Sequence, residues 1–414
     1  TTSYFVVSVD GTKSAQEQKT IVYYDLEGEG TVLYAEDHNT QDGQETVRTA
    51  VRQGDGLLLS TEVGDRKMER SIPMPKNTLT TQRRLEDWLQ SAKPGDKFDN
   101  WTTDWSQTNV DVKEVYTFKE KKTVNYAGVD TPAYTVQTLS QGARFDGQVL
   151  ADARILTGKV GVMEQRLEKE PLAKKLDDNV DLMAATSIPV DKSIGRASRI
   201  EKLTLEMTGL DDYPLPESAR QKVVSRKDGV VVLQMTLDKP TDKPTPLSEE
   251  ERKENLQATP AMQADSDKIQ ALAKEIVGDE KDPIKKATKL ERWVYKNLRK
   301  TYDANADDAL TVLANKAGDC TEHTLLFTTL ARAAGIPARE VGGAVYVGGE
   351  KPSFGWHAWS EIHDGTQWVT VDPTFNQVYI DPTHIKFSEG EEDQAYLNVA
   401  GKLKVKVLEV EKKK

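Results

Sequence analysis

The apolar residues of this chain keep two different periods, and the change between them limits what it can fold into. Over roughly the first 165 residues they alternate with polar ones, which is the period of a half-buried strand. Tyr4-Phe5-Val6-Val7-Ser8-Val9 ends at the turn pair Asp10-Gly11. Val110, Val112, Tyr116 and Phe118 fall on even positions, and Tyr134, Val136 and Thr138 repeat the pattern after Thr131-Pro132. One helix interrupts near residues 83–90, with Leu85, Trp88 and Leu89 on one stripe and Pro94-Gly95 behind it. Two further strand-like runs, 200–207 and 230–237, are joined by a loop holding Tyr213-Pro214-Leu215-Pro216. The polar, Pro-rich stretch 239–246 suits no regular structure and reads as a linker and domain boundary. Beyond it the period becomes helical. Ile269, Leu272 and Ile276 share a face before Gly278, and Asp282-Pro283 opens a second stripe of Ile284, Ala287, Leu290, Trp293, Val294 and Leu298. A third helix is expected over 308–317, stopping at Gly318, and after residue 335 the period returns to two. The expected fold class is α+β. A β-rich accessory domain would span 1–170, a second β segment with its linker 171–245, and a helix-then-sheet domain 246–414.

Composition narrows the function classes. A length of 414 residues implies two or three domains at roughly 150 residues each. Mean hydropathy is −0.61, and no stretch approaches the roughly 20 apolar residues of a membrane span. The 56 basic against 67 acidic residues give −11, so no nucleic-acid partner is expected. A single cysteine, Cys320, excludes an intrachain disulfide and a multi-thiolate zinc site. The chain opens Thr1-Thr2-Ser3. A removed signal peptide would explain that opening and place the protein in the periplasm or outside the cell, and so would simple trimming.

Cys320 lies where a helix begins. Asp319 is placed to cap it and Glu322 to close the capping box. The helix continues through Leu325, Leu326, Phe327, Leu330 and Ala333-Ala334 to the stop Gly335-Ile336-Pro337. Unpaired N–H groups of a first helical turn favour an anion. That suits a nucleophilic thiolate, while a plain buried cysteine fits the same position.

Five histidines could serve as its base. His38 sits in Asp37-His38-Asn39 and reads as a solvated loop residue, as does His384 after Asp381-Pro382. His363 abuts a turn and is expected to face solvent. His323 lies three residues along the same helix face as Cys320. His357 lies on a strand before the turn pair Asp364-Gly365. If His363 and Thr366 flank a two-residue turn, His357 stands opposite Asp372, Trp359 opposite Thr370, and Glu361 opposite Trp368. Cross-strand neighbours share a face, and a slip of one residue would separate His357 from Asp372.

These residues carry a resemblance. Gly318-Asp319-Cys320-Thr321-Glu322-His323, the stretch Leu330-Ala331-Arg332-Ala333-Ala334-Gly335-Ile336-Pro337-Ala338-Arg339, Trp356-His357-Ala358-Trp359 and Trp368-Val369-Thr370-Val371-Asp372-Pro373-Thr374 resemble the bacterial transglutaminase-like superfamily over about 260–390. The N-terminal β-rich half is diffusely similar to the accessory region of periplasmic members. The resemblance implies a papain-like core, with the cysteine helix packed on an antiparallel sheet. It implies Cys320 as nucleophile, His357 as base and Asp372 as orienting acid, and it makes His323 a supporting or buried residue. The backbone N–H of Cys320 and one further donor would hold the oxyanion. Tyr302 and Trp293 are the candidates for that donor, with core packing as the plainer role. Trp359 is a further oxyanion or support candidate. No metal and no cofactor is implied. The partner would be a protein or peptide substrate, with oligomeric state open. The implied chemistry is acyl transfer through an acyl-enzyme, with hydrolysis favoured because water is always available. Glutamine crosslinking by an amine acceptor is the alternative enzyme, and an idle binding or assembly protein is the alternative outside catalysis.

Several weaker signals have plain readings. Cys320-x-x-His323 with His357 offers one thiolate, too few for an ordinary structural zinc site. Asp303-x-Asn305-x-Asp307 lacks the Gly and Glu of a calcium loop, having Asp308 and Ala314 instead. Gly342-Gly343 and Gly348-Gly349 lack a phosphate loop's Lys-Ser/Thr and read as strand bends and turns. Asn100-Trp101-Thr102 is a glycosylation sequon by pattern only. Leu403, Val405 and Val407 alternate with lysines as in an edge strand, and the closing Lys412-Lys413-Lys414 reads as a solvated tail.

Overall fold

The computed structural model describes all residues except 1, 10, 11, 42, 65, 106–109, 127, 176–184, 242, 303–305, 307, 391–393 and 414. The turn Asp10-Gly11 and the Asp303, Asn305 and Asp307 triplet lie outside the described residues. The chain divides into two compact units, 1–182 and 183–414. Among the described residues no helix is long and apolar enough to cross a membrane.

The first unit is β-rich, as its period-two pattern requires. Six strands from Thr2–Val9 to Arg66–Pro73 form one antiparallel meander, and six more from Lys97–Thr103 to Met163–Arg166 form another. The single long helix between them, Leu79–Ser91, is opened by Thr78 and buries Leu85 and Leu89. These two leucines pack on Phe118, Tyr134, Val136 and Val149 of the second sheet. His38 is not in a loop: it lies within the strand Val32–Gln41. That stretch is polar enough to read as loop, but cross-strand charges hold it in the sheet. Arg48 reaches the buried Asp37 at 3.3 Å, and His38 Nδ1 lies 2.9 Å from Glu45.

The second unit carries the helices. Strands β1 (Ile200–Thr208), β2 (Gln221–Lys227) and β3 (Val230–Thr236) pair with the C-terminal strand β9 (Lys404–Lys412), in the order β2-β3-β1-β9. The expected boundary at 239–246 is therefore not one. The chain before it and the chain's last strand share a sheet, and the Pro-rich stretch is a strap bonded to a distant hairpin. Gln367 donates to Lys239 O at 3.1 Å, and Thr245 N–H donates to Thr366 O at 2.6 Å.

Helices α1 (Asp267–Val277), α2 (Pro283–Asn297), α3 (Ala309–Asn315) and α4 (Cys320–Ala333) follow. Ser266, Asp282, Asp308 and Asp319 each accept an N–H of the first turn, so all four N-termini are capped by side chains. Gly278 takes φ 58° just past α1, where a β-carbon would be strained. Helix α3 ends earlier than expected. Lys316 adopts the left-handed φ of 48°, and Ala317–Gly318 pairs in parallel with Arg299–Lys300 instead of continuing the helix. Gly318 has no room for a β-carbon, because Glu322 Cβ would stand 2.3 Å away.

A second sheet runs β7 (Gln377–Val378), β6 (Trp368–Asp372), β5 (Ser353–His363), β4 (Ala338–Tyr346) and β8 (His384–Glu389), all antiparallel. Helix α4 is buried along nearly its whole length. Its Leu326, Phe327, Leu330 and Ala331 share a core with Leu290 and Val294 of α2 and with Ile362, Val369 and Val371 of the sheet. Gly343 sits in the middle of β4, where an added β-carbon would meet Trp359 at 2.3 Å and Ile385 O at 2.2 Å. Its role is close approach of an aromatic ring rather than a bend. Gly343→Ala is expected to displace Trp359 and cost about 1–3 kcal/mol. The urea midpoint would measure that loss, and an unchanged midpoint would contradict the contact.

Candidate active site

Asp319 begins the site. Its carboxylate accepts from Thr321 N–H at 2.7 Å, and Glu322 Oε2 accepts from Asp319 N–H at 2.8 Å. This is the capping box expected from Asp319 and Glu322, and it places Cys320 as the first residue of α4, free and half-buried. Burial and the neighbouring Asp319 push Glu322 up to about 8.

His357 comes from β5 and Asp372 from the end of β6. The register between these strands is not the expected one. His363 pairs with Trp368 and Glu361 with Thr370, so the pairing is offset by two residues. The turn is longer because the Asp364 carboxylate gathers Thr366 N–H, Thr366 Oγ1 and Gln367 N–H at 2.7–2.8 Å. An offset of two keeps both residues on one face. Continued to the strand end, it puts Asp372 level with Trp359, diagonal to His357, which long side chains can span. His357 Nε2 donates to Asp372 Oδ2 at 2.8 Å.

Asp372 is fully buried, and each of its oxygens has two donors. Thr374 and Phe375 N–H reach Oδ1 at 2.7 and 3.0 Å, while His357 and His384 reach Oδ2 at 2.8 and 3.1 Å. Burial favours protonation, but the His357 charge, its hydrogen bond and then His384 hold the carboxyl well below the usual range. For His357, burial opposes the charged form. The Asp372 charge and hydrogen bond, followed by a hydrogen bond with Cys320, outweigh it and raise His357 to about 9.

Two histidines read as solvent-facing are buried instead. His384 is 1% exposed and lies on Asp372. Its segment is clamped by Arg220, whose guanidinium donates to Asp381 O and His384 O at 2.9 and 3.0 Å. His363 donates through Nε2 to Thr245 O at 3.0 Å and accepts Gly365 N–H at 3.2 Å, so the strap covers it. What buries them comes from far along the chain, Thr245 at a separation of 118 residues for His363 and Arg220 at 164 for His384.

The remaining candidates separate clearly. His323 is buried with Nδ1 2.6 Å from Asp319 O, so it serves the turn before Cys320; burial lowers its proton affinity. Trp359 is fully buried and stacks near His357, with centroids 6.1 Å apart. Trp293 packs against the helical core. Tyr302 is 41% exposed on the segment just after Arg299–Lys300. Three further residues were missed. Phe375 covers His357 with centroids 4.9 Å apart, and Lys300 Nζ stands 5.7 Å over the Phe375 ring. Glu291 on α2 is buried, and burial with the Asp372 charge pushes it up to about 7.

His357, Asp372 and His384 form a set of three metal-type donor groups among the described residues, with donor atoms within 4.8 Å of one another. Their separations are those of two imidazole N–H groups donating to one carboxylate oxygen. Neither His323 nor Cys320 belongs to the set.

Comparison with known proteins agrees with the helix-and-sheet core. Residues 270–373 match the family model described as "Transglutaminase-like superfamily". An uncharacterized protein of Haemophilus influenzae is 38% identical over 96 residues, 22% of this chain and 26% of that relative. The match thus spans about a quarter of the relative's length. Two solved structures are similar at low scores. A candidate cysteine protease from Cytophaga hutchinsonii has TM-score 0.34 at 17% identity, covering 52% of this chain and 86% of its own. A candidate protease from Parabacteroides distasonis has TM-score 0.22 at 10% identity, covering 83% and 69%.

The raised His357 contributes stability that is complete below its ordinary value of about 6.5 and is lost as pH rises through about 9. The wild-type urea midpoint is expected to lose its advantage over His357→Gln across that window; a flat difference would contradict the ion pair. Asp372→Ala strands two imidazoles and two N–H groups in the interior and is expected to cost about 3–5 kcal/mol, read from the same midpoints at neutral pH.

Proposed function

Because residues 270–373 match the transglutaminase-like superfamily model, we propose that this chain is a thiol enzyme acting on peptide or glutamine amides. Cys320 is the nucleophile, His357 the acid–base group and Asp372 the orienting acid. One observation carries the reading. His357 is held between Asp372, at 2.8 Å on Nε2, and the Cys320 thiol, while Cys320 stands at a capped helix N-terminus.

The steps follow from that arrangement. Cys320 Sγ gives its proton to His357 and forms a bond to the amide carbonyl carbon. The oxygen becomes an oxyanion, beside the N–H groups that open α4. When the C–N bond breaks, the leaving nitrogen takes the proton from His357 and departs as an amine. The acyl group stays on sulfur. Water then gives a proton to His357 and adds to the acyl carbon; the C–S bond breaks, the carboxylic acid leaves, and the sulfur recovers the proton from His357. Asp372 stays ionised throughout and keeps Nε2 of His357 engaged, so that its other nitrogen serves the sulfur. Hydrolysis is the favoured outcome because it needs no second binding site; an amine in place of water would make the same acyl-enzyme a crosslinking intermediate.

The test needs no known substrate at first. Iodoacetamide should alkylate wild-type Cys320 at pH 6.5 about tenfold faster than it alkylates His357→Gln. Equal rates would sink the proposal. Peptide libraries with and without an added amine then separate hydrolysis from transfer. Either activity should fall by about 10³-fold or more in Cys320→Ala.

A further inference from the structure

Asp372 gives one oxygen, Oδ2, to two imidazoles. From that shared bond we infer, on the footing of the thiol-enzyme reading, that His384 is a positioning residue acting on His357 through Asp372. His384 opens β8 and is 1% exposed. Its Nε2 lies 3.1 Å from the oxygen that His357 reaches at 2.8 Å, and the two rings are 5.9 Å apart. The other oxygen is filled by Thr374 and Phe375 N–H. With four donors on two oxygens the carboxylate cannot rotate without losing one of them, and each loss in a buried site is costly.

The placement of His384 is over-determined. Arg220 holds its main-chain oxygen and that of Asp381. The edge of Trp359 packs against its ring at 5.4 Å and 83°, while the same indole lies roughly parallel to His357 at 28°. Trp359 thus packs beside both imidazoles, and Asp372 Oδ2 is the atom hydrogen-bonded to each. The charged groups facing His384 are Asp372, Asp381 with Oδ1 3.5 Å from Nδ1, and His357 beyond Asp372. Burial opposes its charge, but the hydrogen bond to Asp372 and the nearby Asp381 carboxylate raise its proton affinity.

Sharing has a chemical consequence. Two donors on one oxygen compete for the same negative charge. A positive His384 weakens the hold of Asp372 on the His357 proton. His357 must both accept and release that proton in each cycle, so a limit on its basicity favours turnover. An apolar residue at 384 would leave Asp372 freer to turn, with His357 as the one donor on Oδ2.

The experiment follows the His357 imidazole by proton NMR titration and Cys320 by iodoacetamide alkylation at pH 6.5, in wild type, His384→Gln and His384→Ala. Gln keeps an N–H near Nε2 but carries no charge. His384→Gln should raise the His357 midpoint above the wild-type value and keep alkylation within about threefold of wild type. His384→Ala should slow alkylation about tenfold to 100-fold. A merely structural His384 would leave the midpoint unmoved, and an unmoved midpoint with wild-type alkylation in both variants would overturn the inference. If wild type alkylates no faster than His357→Gln, the thiol-enzyme reading fails, while the midpoint still decides whether His384 acts on His357. If neither variant folds, the low-field spectrum decides. Two carboxylate-bonded imidazole N–H resonances in wild type, one of which survives in His357→Gln, support the link; a single resonance overturns it.

Discussion

A buried carboxylate is the interaction on which the second unit is organised. Asp372 has no exposure, so it persists as an anion only where donors meet it on every side. Two come from its own chain just downstream, Thr374 and Phe375. The others come from β5 and β8, strands on either side of β4. Assembling them requires the whole sheet to be in register. It also requires the first strands of the unit, because Arg220 and Gln221 hold the β8 segment from behind. Gln221 donates to Lys386 O at 2.9 Å and accepts Lys386 N–H at 2.8 Å.

Other buried charges serve the same geometry. Glu361 sits between Arg339 and Lys386, with contacts of 2.7–2.9 Å, and ties β4, β5 and β8 together across one face. Asp238, at the end of the β3 segment, accepts both the N–H and the hydroxyl of Thr370 at 2.9 and 2.7 Å, two residues before Asp372. Such pairs give little net stability once desolvation is counted. Their effect is to exclude other registers, since a slip would leave a charge buried alone.

Much of this was legible in the sequence because it is local. Caps, breakers and period give the helices: Asp282-Pro283, Asp319 with Glu322, and Gly278 each act within one helical turn. The common face of His357 and Asp372 was legible too, through a hairpin whose expected turn was two residues too short. It survived the error because side chains on a strand repeat every second residue. His38 was misread because a polar stretch can still be a strand, while His384 and His363 share another reason. Each stands in a polar stretch, and polarity alone does not distinguish water from a distant buried partner. The supposed boundary at 239–246 failed similarly, since the strand closing that sheet lies at the far end of the chain, over 404–412.

Local sequence already shows where α1, α2 and α4 begin, that Cys320 stands at a helix N-terminus, and that His357 and Asp372 share a face. All three depend on neighbours a few residues away, where backbone geometry leaves little choice. The folded chain adds that Asp372 carries a second histidine, that Arg220 and the Pro-rich strap belong to the same unit as the site, and that Trp359 fills the space left by Gly343. Those facts depend on strands distant in sequence meeting at about 5 Å spacing, and contact at that range is selected by burial and charge pairing in the folded chain.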